Sequence, residues 1–305
     1  MCNGVVLLAS YNGSKYIEPL IASIDKVLDV AVSDDASADD TCQILADLKR
    51  KGLFFLPKKK QGSASANFSY LINEIDASYD YYFLADQDDV WVEGKLAYLL
   101  DEIKQLESRF GCETPLLVFS DSAVVNEDLG VTNRSFLESE GLDPNFKDSF
   151  KLLCCQNVGQ GATFVFNKAL LKRARPIPTG IIMHDWWLML VASAFGKIGF
   201  VDRQLLLYRQ HSANVVGASG LGLFLQLRRF LFKKEELKKS LYNTQANAAL
   251  FLEVYRSDLP VDLVVFLEGY SMLRTRGYFY RKWFAIRYGL RKTTLARTLG
   301  FYSYI

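Results

Sequence analysis

The run YYFLADQDDVWVEGKL, residues 81–96, ends an apolar stretch in four positions that carry three carboxylates, Asp86, Asp88 and Asp89, and then turns toward a helical pattern. Carboxylates this close disfavour one another's ionisation unless a cation or a set of hydrogen bonds lies between them. The spacing therefore points to something positive at this place. Alternating carboxylates at a strand end suit a hard cation such as Mg2+ or Mn2+, which takes one or two protein oxygens and completes its shell with phosphate and water. The plainer reading is a solvated turn whose aspartates cap the next helix, with Trp91 and Lys95 nearby changing little.

Outward from this run, short apolar or β-branched stretches alternate with helical patterns, as in a mostly parallel sheet covered by helices. GVVLLAS, VAVSDD, LFFLP, YDYYFLADQ and LLVFSDSAVVN read as strands. SKYIEPLIASIDKVL, ADDTCQILADLKRK, SASANFSYLINEI and VEGKLAYLLDEIKQLESRF read as the helices between them. Past about residue 130 the pattern loosens. NRSFLESEGLDPNFKDSF reads as a loop with one short helix, GATFVFN as a strand, HDWWLMLVASAF as a helix and KIGFVDRQLLLYRQH as a strand pair. SDD and ADQDD both follow strand runs directly, so their carboxylates belong at strand C-terminal ends, the edge where open α/β sheets bind ligands. Asp34 and Asp35 could accept hydrogen bonds there from a ribose or a base N–H, or cap the next helix. The first turn, ASYNGSKY, offers Gly13 and backbone amides at a helix start, but it is not a P-loop.

Half of the 305 residues are hydrophobic and 23% are charged, the balance of a soluble globular chain. The length suits one large α/β domain with an extension, or two smaller domains. Five cysteines without a C-x-x-C spacing argue against a disulfide framework or a zinc knuckle and fit a reducing, cytosolic compartment. VVLLAS lacks the flanks of a signal peptide, and no uncharged apolar run reaches the roughly 18 residues of a membrane span. The net charge of +2 hides a split: residues 218–305 hold 15 Lys+Arg against 6 Asp+Glu, leaving 21 against 28 for residues 1–217. We therefore expect an acidic α/β domain over 1–217 and a helical, basic, aromatic extension over 218–305. The last 37 residues carry eight Lys+Arg and no acid. An amphipathic helix on an anionic membrane surface fits that mixture, as does a solvated basic face on a packed helix, and a homodimer through these helices is open. Nucleic acid is not expected, because no binding motif accompanies the charge.

Of the two histidines, His184 in MHDWW lies beside Asp185, and His211 in YRQHSANVVG lies near Arg209. Asp185 is either a helix cap or a general base within reach of a substrate hydroxyl.

Taken in order, LLASYNGSKYIEPLIASI, VSDDASADDT, ANFSYLI, YYFLADQDDVWVEGKL, FSDSAVV, GQGATFVFN, HDWWLML and YRQHSANVVG resemble the family 2 glycosyltransferases of GT-A fold across residues 4–217. ADQDDVW and YRQH..N are similar to the rhamnosyltransferase-like branch that builds bacterial surface polysaccharides. The resemblance implies a Rossmann-like sheet flanked by helices and an inverting transfer of one sugar, rhamnose among the candidates. The donor would be a nucleoside diphosphate sugar, and the acceptor a lipid-linked saccharide in O-antigen or capsule assembly, on the cytoplasmic face of the plasma membrane. Under it, Ser10, Tyr11, Asn12, Asp34, Asp35, Asn67 and Asp86 contact the nucleotide, and Asp88 and His211 hold Mg2+ or Mn2+. Asp185 is the general base, and Asp89, Trp91 and Arg209 contact the diphosphate or the acceptor. The Q-x-x-R-W element of processive members is absent, which implies one sugar per encounter.

Two rivals stand beside this reading. YYFLADQDDV also satisfies the opening motif of haloacid dehalogenase-type phosphatases, with Asp86 as nucleophile and Asp88 as acid/base. Those enzymes place the motif near the N-terminus and need a later acidic element, and this chain has no Gly-Asp dipeptide. A non-catalytic membrane scaffold would explain the basic tail and leave the ordered acidic blocks unexplained.

Overall fold

A computed structural model describes residues 3–57, 59–210 and 234–305 of the protein. The chain divides into two units, one of residues 1–138, 159–179 and 183–218, the other of residues 139–158, 180–182 and 219–305. Residues 139–158, which the sequence pattern assigns to the first region, thus group with the C-terminal helices.

In the first unit, β1 (Gly4–Ser10) is buried at every position, as an unbroken apolar run must be when helices cover both faces of a parallel sheet. It pairs in parallel with β2 (Asp29–Asp34) and β4 (Tyr81–Asp86), and β2 pairs in parallel with β3 (Leu53–Phe55). Helices α1 (Ile17–Ser23), α2 (Thr41–Asp47) and α3 (Ala64–Glu74) make the crossovers. Beyond β4 the chain adds β5 (Val90–Trp91), α4 (Lys95–Phe110), β6 (Leu116–Val125), β7 (Val131–Asn133), β8 (Val165–Asn167), α7 (Lys168–Ala174), α8 (His184–Phe195) and β9 (Lys197–Arg209), with the short α5 (Phe136–Ser139) and α6 (Phe150–Cys155) between β7 and β8. The sheet order is β3-β2-β1-β4-β8-β6-β9-β5, with β7 on β6. β8 is antiparallel to both β4 and β6, and β9 is parallel to β6. Hence β1, β2, β3, β4, β6 and β9 all point one way, the mostly parallel sheet expected.

Three local expectations change. The KIGFVDRQLLLYR segment is one strand, not a pair: Asp202, Arg203 and Gln204 are exposed where the register against β6 slips, which imitates a turn in sequence. After Asp89 the chain makes β5 on β9, pairing Val90 with Leu207 and Trp91 with Leu206, before α4 begins. And α1 stops at Ser23, because the Arg50 guanidinium donates to the carbonyls of Ile21 (3.1 Å), Ile24 (3.0 Å), Asp25 (2.7 Å) and Leu28 (3.2 Å). Those acceptors no longer need a helix.

The second unit packs α6 with α9 (Lys234–Tyr255), α10 (Val261–Ser271), α11 (Tyr278–Arg287) and α12 (Leu295–Tyr304). Its interior is aromatic: Phe150 lies 5.2 Å from Phe251, and Phe266 lies 5.6 Å from Tyr270, whose hydroxyl is 2.8 Å from Thr244 Oγ1. Among the described residues no helix is long and apolar enough to cross a membrane.

Candidate functional site

The register pairs Ala9 with Asp86 and Ser10 with Asp34. The C-terminal ends of β1, β2 and β4 therefore share one edge, and both acidic clusters stand on it.

On the β2 side the carboxylates are bound by the protein's own donors. Asp34 accepts from Ser10 Oγ (2.9 Å), Ser37 N (2.8 Å) and Ser37 Oγ (2.6 Å). Burial pushes its carboxyl up, but hydrogen bonds from Ser37, Ser10 and Cys42 outweigh burial and hold it below the usual carboxylate range. Asp35 accepts from the amides of Gln61 and Gly62, the latter at 2.8 Å to Oδ2. Asn12 sits at φ +50, its amide donating to Ser37 Oγ and its side chain accepting from Ala38 N, each at 2.8 Å. Asn67 is buried and braces β2: its Oδ1 accepts from Ser33 Oγ (2.6 Å) and its Nδ2 donates to Ser33 O (2.9 Å). Of this group Tyr11, 56% exposed, and Asn12 face solvent.

On the β4 side, Asp86 and Asp88 are half-buried while Asp89 is buried. Burial, then the charges of Asp88 and Asp185, push the Asp86 carboxyl up to about 7, against the pull of Lys95. Burial, then the charges of Asp88 and Asp86, push the Asp89 carboxyl well up. Its Oδ1 accepts from Arg209 N at 3.0 Å, and its buried Oδ2 has no hydrogen-bond partner. The Arg209 guanidinium donates from Nε to Asp88 O at 2.8 Å and from an Nη to Glu127 O, and it lies 4.7 Å from the Tyr16 ring centre. Trp91 is buried with Lys95 Nζ 4.0 Å above its ring. Asp89, Trp91 and Arg209 thus spend their visible contacts on the protein itself, bracing the acidic turn.

Asp185 comes to this edge on the first turn of α8. Its Oδ2 accepts from Gly161 N at 3.2 Å and its Oδ1 from Trp186 N at 2.6 Å, and its charge reaches Asp86. The neighbouring His184 is stacked on Phe68, ring centres 4.0 Å apart. Neither of its ring nitrogens has a hydrogen-bond partner, and burial pushes its pKa down to about 3, so the ring is neutral.

The site combines oxygen donors, a shared negative field and partial burial, a donor set that fits Mg2+ or Mn2+. Among the described residues no group of three or more His, Cys, Asp or Glu closes around an ion, so a metal would take one or two carboxylate oxygens here and draw other ligands from diphosphate and water. His211 lies outside the described residues. Two contributors escaped the sequence reading: Gln87, whose bonds tie the β1 and β4 loops together, and Gly161, whose amide orients Asp185. Lys95 was noticed there only as a neighbour, yet it is buried, and burial pushes its pKa down to about 7 against the pull of Asp89 and Asp86. Gln87 stands between two noted aspartates and Lys95 six residues past them, but their partners are distant in sequence.

The Glycosyl transferase family 2 model matches residues 5–135. The chain is 28% identical over 232 residues, 70% of its length and 74% of the relative's, to the dTDP-rhamnosyl transferase RfbG of Shigella flexneri. Among solved structures it is similar to S. aureus TarS 1-349 in complex with UDP-GlcNAc, with a TM-score of 0.55 and 15% identity over 94% of this chain and 80% of that one. It is also similar to GalNAc-T7 with UDP, GalNAc and Mn2+, with a TM-score of 0.51 and 10% identity over 96% and 55% of the two chains. At these identities the likeness is one of fold, the GT-A fold. With its acidic edge on that fold and the family model running through β1 to β7, residues 5–135 are a glycosyltransferase family 2 domain.

Proposed function

We propose that the protein transfers a single rhamnose from dTDP-rhamnose to an acceptor hydroxyl, with inversion and with a divalent metal. The carrying observation is the common edge on which Asp34, Asp35 and Asp86 end neighbouring parallel strands, with Asp88 beside them and Asp185 near enough to raise the Asp86 pKa. The relative's name supports rhamnose and the thymidine nucleotide. Tyr11 offers an exposed ring face to the base, and Asp35, held by two amides, offers its carboxylate edge to the nucleoside. Asp88, with Asp86 beside it, would hold Mg2+ or Mn2+, which when bound neutralises charge on the departing diphosphate. In a single displacement the acceptor oxygen bonds to C1 as the bond from C1 to the diphosphate oxygen breaks, and Asp185 takes the acceptor's proton. The Gly161 amide holds that carboxylate in place, and Asp89, Trp91 and Arg209 keep the acidic turn rigid beneath the donor.

The test is a melting-temperature panel of dTDP, UDP, GDP and their sugars with and without Mn2+, followed by turnover of the stabilising donor. A ligand at about 100 times its dissociation constant stabilises the native state by roughly 2.7 kcal/mol. A Mn2+-dependent shift specific to dTDP, with turnover of dTDP-rhamnose, is the expected result. A preference for another nucleotide sugar would overturn the rhamnose assignment.

We further propose that α11 and α12 rest on an anionic membrane surface, where a lipid-linked saccharide acceptor would be met. Phe279, Trp283 and Ile286 share one stripe of α11 and are 85, 55 and 70% exposed, and Leu295 and Leu299 are exposed on α12. No acid occurs between residues 269 and 305. A second copy set against this surface would meet like charge, whereas an anionic bilayer supplies opposite charge and an apolar phase. Flotation with vesicles of phosphatidylglycerol and phosphatidylethanolamine should carry the protein, and Phe279→Ser/Trp283→Ser/Ile286→Ser should release it. Dimerisation without lipid binding would point to a second copy as the occupant.

A further inference from the structure

Lys95 opens α4, yet it is 1% exposed. A cation there is unfavourable twice over, being out of water and at the positive end of a helix. Its contacts offset only part of these costs, and burial pushes its pKa down to about 7. Nζ donates to Ala162 O at 2.6 Å, lies 4.0 Å from the centre of the Trp91 ring, and interacts with the Asp89 and Asp86 carboxylates. Ala162 belongs to the single 3-10 turn Gly161–Thr163. That turn is pinned at its start by Thr163 Oγ1 donating to Gln160 O at 2.7 Å, and its first amide, Gly161 N, donates to Asp185. One amine therefore joins Trp91, two residues past the acidic turn, to the short turn whose first amide binds Asp185.

We infer that Lys95 is a positioning residue for sugar transfer. It ties the 161–163 turn to Trp91 just past the acidic turn, so that the Gly161 amide holds Asp185 in line with a donor seated on Asp86 and Asp88. The inference rests on the reading of Asp185 as the base. Gly161 is part of the same device: a Cβ there would lie 3.1 Å from His184 Nε2 and 3.2 Å from Asp185 Cβ, so an alanine would fit only if His184 or Asp185 moved by a few tenths of an ångström. An internal cation kept merely for packing is replaceable, since buried ionic groups exchanged together for apolar or neutral isosteres commonly leave a fold intact.

The experiment compares the full chain with Lys95→Met, with the charge-balanced Lys95→Met/Asp89→Asn, and with Gly161→Ala. Binding of dTDP with Mn2+ is read by calorimetry, and kcat and KM by steady-state turnover of dTDP-rhamnose. We expect dTDP binding and donor KM within about threefold of the parent and kcat lowered about 100-fold, the scale of a misplaced reacting group. Gly161→Ala should show the same split, and combining it with Lys95→Met should cost little more than either alone, because the two act through one turn. A kcat within threefold of the parent overturns the inference. Parallel loss of dTDP binding and turnover overturns it too, assigning Lys95 to donor binding. If neither lysine variant folds, Lys95 is a structural cation and the inference falls. Failure of the underlying reading looks different: the parent then fails to bind nucleotide, or Asp185→Asn turns over normally.

Discussion

Tyr11 and Gln87 exchange two hydrogen bonds: the Tyr11 amide donates to Gln87 Oε1 and Gln87 Nε2 donates to Tyr11 O, both at 2.7 Å. The residue between Asp86 and Asp88 thereby ties the loop after β1 to the turn after β4. Gln87→Ala should weaken nucleotide binding several-fold while changing stability by about 1 kcal/mol or less, since its contacts are exposed. Gly13→Ala should act alike, because a Cβ there would sit 2.4 Å from Gln87 Oε1 and displace it. Calorimetric titration with dTDP and Mn2+, beside a urea melt, checks both.

Asp185 and Asp88 should fail in different ways. Asp185→Asn keeps the shape but cannot take a proton, so kcat should fall by about 10²- to 10⁴-fold with nucleotide binding unchanged. Asp88→Asn removes a hard oxygen charge, so the Mn2+ concentration for half-maximal nucleotide binding should rise. Equal Mn2+ requirements in the two variants would remove Asp88 from the metal.

Asp34 should govern part of the acid stability. Its folded pKa lies below the ordinary carboxylate value of 3.8, so its stabilising contribution is complete above that value and is lost as pH falls through the lower folded one. Ser37→Ala removes the hydroxyl that donates at 2.6 Å and should lower stability at pH 7 more than at pH 2.5. Urea midpoints at the two pH values test this.

His184 should act with the same slope in a higher pH window. Neutral in the fold, with a pKa of about 3 against 6.5 when exposed, it costs stability as pH drops below 6.5, because the unfolded chain takes up a proton that the native state refuses. His184→Phe keeps an aromatic ring on Phe68 and removes two unpartnered nitrogens. The variant should lose less stability than the parent between pH 7 and 5, measured by thermal melts.

The alternation of β1, β2, β4 and their helices was readable because each element announces itself in a few consecutive residues: VVLLA is apolar throughout, and Ile17, Leu20 and Ile21 recur at helical spacing. β5 was not, since two residues become a strand only through Leu206 and Leu207, more than a hundred positions later. The same division runs through the site. Crowded carboxylates are a local signal, so Asp86, Asp88 and Asp89 drew notice from sequence. The work of Gln87 is done with Tyr11, 76 residues away, and that of Lys95 with Ala162, 67 away. Asn67 and Arg209 were noticed, but the carbonyls they hold show only in three dimensions.

The bond from Arg209 N to Asp89 has a consequence for synthesis on the ribosome. Its partners lie 120 residues apart in the chain, so the acidic turn leaves the exit tunnel long before the strand that braces it. Loop closure of that span must precede the contact. A nascent chain released before β9 should carry the parallel strands β1, β2 and β4 with an unbraced, mutually repelling set of aspartates. Competence to bind a nucleotide should then arrive late and abruptly, with the emergence of residues 197–209, rather than growing with chain length.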